Sequence, residues 1–207
     1  MSTNKLTCYL LSIILFIIGN ATTLLSQNTE VKKSYEEELK NFRRKNFFQL
    51  AVFGGPIYPI NDFQKKFGTS TAVGLDFLYR INEEASASLR ITDHILTRNS
   101  VYDPDGNYLE FTLGPKFYFC PRCYRSAIFF EVGTGPVLMN ETEFTDSLGV
   151  YRNSRSIIKL GASTGIGGEI VISNSIFFIV RTNIHTIFST DENITFISAL
   201  GGFTIRF

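Results

Sequence analysis

Reading back from Phe207, every second position is apolar or small: Ile205, Phe203, Gly201, Ala199 and Ile197, with Arg206, Thr204, Gly202, Leu200 and Ser198 between them. A period of two marks a strand with one oily face and one mostly polar face, because successive side chains of an extended chain point to opposite sides. The alternation recurs upstream and predicts eight strands, near 47–55, 70–81, 84–95, 107–119, 126–139, 156–172, 175–188 and 194–207. Each is near or above the ~9–11 residues that a tilted strand needs to cross a bilayer.

The distribution of charge over the two faces sharpens the picture. In the second segment Val73, Leu75, Phe77 and Tyr79 oppose Asp76 and Arg80, and in the fourth Leu109, Phe111, Leu113 and Phe117 oppose Glu110, Thr112 and Lys116. In the seventh, Phe178, Val180 and Ile184 oppose Arg181, Asn183 and His185. Across the eight segments only Asp93 falls on the apolar face, whereas Asp76, Arg80, Arg90, Glu110, Lys116, Glu131, Lys159, Glu169, Arg181 and Arg206 fall on the other. This pattern predicts an all-β, eight-stranded, antiparallel up-and-down transmembrane barrel, with the apolar band toward lipid and the charges in a narrow lumen. A soluble lipocalin-like binder is the alternative, at the expense of solvating the faces that carry Phe111, Phe117, Phe130 and Phe178.

Connections alternate in length as such a barrel requires. External loops are expected over 56–69, 96–106, 140–155 and 189–193, and periplasmic turns at Asn82-Glu83, 120–125 and Ser173-Asn174. Asp103-Pro104-Asp105-Gly106 is a turn signal within the second loop. An even strand count brings both chain ends to the periplasmic side. At the start, Lys5 precedes an apolar run from Tyr9 to Ile18 that is too short to span a bilayer and reads as a signal peptide. Cleavage is placed after Ser26, with Gly19-Asn20-Ala21 as the competing site. The organisation is a leader over 1–26, a polar lead-in over 27–46 with Tyr35, Leu39 and Phe42 at helical spacing, and the barrel over 47–207.

Composition adds little beyond exclusions. The chain has 207 residues and a formal net charge of +1, which leaves no nucleic-acid footprint. Aromatics reach 14% without a single Trp. After the leader, no run approaches the roughly 18 apolar residues of a transmembrane helix.

Candidate chemistry is sparse. Cys120 and Cys123 frame Pro121-Arg122 and read as a disulfide clipping a turn, with a free or transiently oxidised dithiol as the alternative; Cys8 departs with the leader. A zinc site of the paired CxxC kind lacks its second half, and no cofactor is implied. Gly161, Gly165, Gly167 and Gly168 lack the helix and the Lys-Ser/Thr of a phosphate loop, and are read as room for strand curvature and for large lumen side chains. His185 and Ser189 share a strand face near Asp191, but residues four apart on a strand lie about 13 Å apart, too far for a nucleophile and its base. Ser163 and Ser198 have no base identifiable from sequence. Six lumen cations face four anions, so the expectation is a packed ionic network, with Asp76 beside Arg90, Lys116 beside Glu131 and Glu169 beside Arg181.

The terminal aromatic strand and the alternating faces resemble small bacterial outer-membrane β-barrel proteins of the OmpA/OmpX type, the porin-family barrels of Gram-negative cell envelopes. The resemblance covers about 47–207. It implies residence in the outer membrane, contact with outer-membrane lipid, and a C-terminal signal, Phe203, Ile205 and Phe207, read by the barrel-assembly machinery. It also implies a monomer. For function it implies a non-enzymatic structural or surface-binding protein whose external loops, above all 140–155 with Glu141, Glu143, Asp146, Tyr151, Arg152 and Arg155, meet an unknown surface ligand or envelope protein. The alternatives are a narrow pore or secretion-accessory barrel, and a lipid A-modifying barrel enzyme.

Overall fold

The computed structural model describes residues 47–100, 102–119, 126–145, 148–173, 175–189 and 193–207. The leader, the polar lead-in, Cys120, Cys123 and Asp191 lie outside the described residues. The strands are β1 (Phe47–Pro59), β2 (Ser70–Arg80), β3 (Ala85–Leu96), β4 (Gly106–Tyr118), β5 (Ser126–Glu141), β6 (Phe144–Thr145), β7 (Tyr151–Arg152), β8 (Arg155–Val171), β9 (Ile176–Ile187) and β10 (Ile194–Arg206). One single-turn helix, α1 (Phe63–Lys66), follows β1. All but β6 and β7 form one closed barrel in the order β1-β2-β3-β4-β5-β8-β9-β10, each antiparallel to its neighbours, and β6 and β7 form a small separate hairpin.

The seam between the first and last strands runs from Gln49 opposite Arg206 to Pro59 opposite Phe196. Closure leaves no sheet edge, so the ladder satisfies the backbone without help from solvent. The faces are the reverse of a water-soluble barrel: Leu113 is 62% exposed, Ile158 73% and Phe203 56%, whereas Asp76, Lys116 and Asn183 are each at 0%. Charge inside and hydrocarbon outside fit a lipid surround and set the lipocalin-like alternative aside.

Local sequence explains the connections. At the short-turn end the Asn82 side chain accepts hydrogen bonds from the backbone N–H groups of Glu84 and Ala85, both at 2.8 Å, which pins the β2–β3 turn. At the opposite, long-loop end, β1 runs to Pro59, beyond the expected limit at residue 55. Asn61 then takes a left-handed backbone, φ 58°, a conformation its short polar side chain tolerates, and the chain turns into α1.

The first loop is therefore no solvated connector. Phe63 and Phe67 fold over the barrel mouth and join Phe53, Ile57, Tyr108, Met139 and Phe196 in the main apolar cluster. Within the third loop, the β6–β7 hairpin supplies regular structure where a plain loop is expected. Glycines on the inner face of β8 make room for side chains from neighbouring strands: a Cβ on Gly167 would strike the Phe129 ring, and one on Gly165 the Asn183 amide.

Candidate functional site

Register places the lumen charges at successive depths. Nearest the short-turn end, Lys116 Nζ donates to Glu169 Oε1 at 2.7 Å, and the Tyr118 hydroxyl donates to the same oxygen at 3.1 Å. The Arg80 guanidinium lies 3.4 Å over the Tyr118 ring, Lys116 lies 3.7 Å over Phe129, and Arg206 packs 3.5 Å over Phe47. These contacts combine charge neutralisation with ring faces that cations favour.

Mid-barrel, two carboxylates and two guanidiniums interlock. Arg181 Nη1 donates to Asp76 Oδ2 at 2.8 Å and lies 3.5 Å from Glu131 Oε1, which Arg90 Nη2 approaches to 2.6 Å. Arg90 Nε lies 3.7 Å from Asp76 Oδ2, Ser88 donates to Asp76 Oδ1 at 2.6 Å, and Asn183 Nδ2 donates to Glu131 Oε1 at 2.7 Å. Two of the three expected pairings need correction. Lys116 faces Glu131 in register, yet it pairs with Glu169, and Arg181 pairs with Asp76 and Glu131 in place of Glu169. The lumen is narrow enough that long side chains reach the far wall, so lateral neighbours are not the default partners.

One level nearer the loops lies a group that strand-by-strand reading does not assemble. Glu110 Oε2 on β4 lies 2.8 Å from His94 Nε2 on β3 and 2.8 Å from His185 Nδ1 on β9. His185 Nε2 lies 3.0 Å from Ser198 Oγ on β10, so the serine described above as lacking a base has an imidazole beside it. Phe196 stacks on His185 at 4.8 Å and meets His94 edge-on at 4.9 Å. The sequence signal was present: Glu110 and His185 are inner-face residues toward the loop ends of their strands, but β9 is remote from β3 and β4 in chain order.

Ser198, His185 and Glu110 follow the order of a hydrolytic triad, which makes the surroundings decisive. Ser198 is fully buried, the aromatic cluster covers His185, and the Ser198 backbone pairs with Ile57 on one side and Asn183 on the other. No substrate carbonyl has room to approach, and strand pairing takes up the backbone N–H groups that an oxyanion hole would need. Ser189 is no partner of His185 either, because its hydroxyl accepts from Lys159 Nζ at 2.6 Å near the rim.

At the mouth, the first three loops are stitched together. Asn99 N donates to Lys66 O and its Nδ2 to Gln64 O, both at 2.9 Å, while Thr142 N donates to Asp105 O at 3.0 Å. A cleft of about 380 Å³ opens between Lys66, Tyr102, Asp103, Glu141 and Phe144. In the third loop the Tyr151 hydroxyl donates to Glu143 Oε2 at 2.6 Å, which holds its pKa above the usual phenol value. Phe203, Ile205 and Phe207 lie on the exposed outer face, with Phe207 N donating to Phe48 O at 3.0 Å.

No protein-family model and no curated protein sequence matches the chain. Solved structures do. Neisserial surface protein A superposes with a TM-score of 0.61 at 9% identity, covering 77% of this chain and 97% of that one. The outer membrane protein OprG from Pseudomonas aeruginosa gives 0.55 at 13%, covering 80% and 97%. The attachment invasion locus protein of Yersinia pestis, Ail, gives 0.50 at 16%, covering 78% and 97%. Identities this low speak to fold, and the fold is specific: the chain is an eight-stranded antiparallel barrel built like the small outer-membrane barrels.

Proposed function

We propose that this protein is a closed, non-enzymatic outer-membrane barrel that acts through its long-loop end, anchoring those loops at the cell surface for contact with a ligand or an envelope protein. The observation that carries this reading is the closed interior. The mid-barrel charges are almost wholly buried, and Phe63 and Phe67 from the first loop join the apolar cluster at the mouth. A conducting pore needs continuous water, and the burial of these charges beneath aromatic rings supports a lumen without such a column.

Contact at the loops is favoured by a second observation. Leu148 is 85% exposed, Val150 47% and Tyr151 58%, an apolar tip on the β6–β7 hairpin beside the charged Arg152 and Arg155. Apolar groups gathered at a loop tip and rimmed by charge suit a partner surface. The long loops face outward in this reading and both chain ends face the periplasm. Phe203 and Ile205 on β10, with Phe207 just past its end, then serve the assembly machinery, and the monomer sits directly in outer-membrane lipid.

The test is membrane fractionation with electrophoresis before and after boiling, followed by planar-bilayer recording and lipid A analysis. The expected result is an outer-membrane, heat-shifted band, a silent bilayer and unchanged lipid A. A photo-cross-linker placed at Leu148 in intact cells should give an adduct that the same group at Ser173, in a short turn, does not. Steady conductance, or altered lipid A that reverts on His185→Ala, would overturn the proposal.

A further inference from the structure

We propose that His94, Glu110 and His185 form a binding site for one divalent first-row transition ion, Zn²⁺ being the best match, just beneath the aromatic cap of the lumen. At mid-barrel Arg90 and Arg181 balance Asp76 and Glu131, and below them Lys116 balances Glu169. Glu110 has two imidazoles as its ion-pair partners among the described residues, and these are charged only if protonated. A carboxylate this deeply buried needs a positive partner, and a bound cation supplies one.

Geometry agrees. One ligand atom from each of the three residues lies within 4.8 Å of the other two, and both imidazole nitrogens already converge on the same carboxylate oxygen at 2.8 Å. Zinc–nitrogen and zinc–oxygen bonds of ~2.0–2.2 Å put neighbouring donors roughly 3 to 3.4 Å apart, so the imidazoles have to close by at most about 1.5 Å. Two imidazoles and one carboxylate suit zinc, whose filled d shell imposes no geometry and which accepts water in the remaining position.

The surroundings supply His185 with what a metal-bound histidine needs. When His185 coordinates through Nδ1, its Nε2–H donates to Ser198 Oγ, 3.0 Å away, which fixes ring orientation and tautomer. The Phe196 ring stacked on His185 holds the imidazole plane and keeps bulk water out. The three ligands come from β3, β4 and β9, so the ion braces opposite walls of the barrel where the loops begin. The capped mouth implies that the ion enters as the barrel closes, before Phe63 and Phe67 cover the lumen.

The test uses full-length protein carrying Cys8→Ser, Cys120→Ser and Cys123→Ser, which removes every thiolate ligand, refolded into detergent with Zn²⁺ or with Co²⁺ as a visible probe. After gel filtration the heat-shifted, folded fraction should retain about one Zn²⁺ per chain, and Co²⁺ should give the weak visible absorption of nitrogen and oxygen ligands. Glu110→Gln and His94→Gln should each lower the retained metal at least tenfold, and Ser198→Ala should weaken binding by about tenfold through the loss of its hydrogen bond to His185. Glu143→Gln, in the exposed third loop, should leave it unchanged. A folded parent protein that retains no stoichiometric metal would overturn the proposal without recourse to any variant. So would metal that persists undiminished in folded Glu110→Gln or His94→Gln protein.

Discussion

Replacing Arg181 with methionine tests the mid-barrel network at its centre. Arg181 is almost fully buried, donates to Asp76 at 2.8 Å, lies 3.5 Å from Glu131 and packs 4.2 Å over the Phe53 ring. Methionine keeps much of the apolar contact with Phe53 but removes the charge. Asp76 and Glu131 are then left to share Arg90, which already approaches Glu131 to 2.6 Å and Asp76 only to 3.7 Å. One buried negative charge goes uncompensated, and breaking such a group from one side costs about 3–5 kcal/mol. That is roughly two to three and a half powers of ten in the folding equilibrium. Adding Asp76→Asn removes the surplus charge and should recover at least half of the loss, a non-additivity expected of residues in one network. The assay is urea unfolding in lipid vesicles, followed by far-ultraviolet circular dichroism and by the heat-shifted band, since the chain has no Trp to report by fluorescence. If Arg181→Met were as stable as the parent, or if adding Asp76→Asn destabilised further, the network would not be what holds the barrel together.

Other perturbations separate the faces and levels of the barrel. Leu75→Arg, on the outer face opposite Val52 and Ile91, should cost roughly 2–4 kcal/mol in vesicle unfolding, and a harmless substitution would contradict the lipid-facing assignment. Gly165→Val should cost about 1–3 kcal/mol because its side chain displaces the Asn183 amide from Glu131, and stability equal to the parent would show that β8 has slack there. Phe63→Ala should lower stability by about 3 kcal/mol yet leave the planar bilayer silent, because the buried charges beneath still block the lumen. Conductance from that variant alone would make helix α1 the gate. Lys65→Ala, on the exposed helix surface beside Asp62, should change stability by less than about 1 kcal/mol.

The barrel was legible in the sequence because membrane strands repeat a simple alternation. Val73, Leu75 and Phe77 on one side and Asp76 and Arg80 on the other already specify which face of β2 meets lipid. What the alternation does not encode is distance across the lumen. Arg181 and Asp76 lie 105 residues apart on strands that are not paired, and their contact follows from curvature, which no single strand carries. The same limit hid the convergence of β3, β4 and β9 on Glu110, and the imidazole beside Ser198. Helix α1 was missed for another reason. Four residues are too few for a helical period to emerge, and Phe63 and Phe67 read as scattered aromatics until the chain turns at Asn61 and brings both rings over the mouth.

The seam between β1 and β10 bears on how the chain folds. These are the first and last strands of the barrel, so their pairing joins Gln49 to Arg206, a long-range closure of the kind that slows folding. Asp76 on β2 and Arg181 on β9 lie on either side of that seam, so their salt bridge cannot form until it zips. Strand closure and charge neutralisation are therefore one cooperative event, and any opened sheet must carry unpaired charge against hydrocarbon. That penalty raises the barrier to opening, so the finished barrel should persist by the slowness of its unfolding as much as by its equilibrium stability.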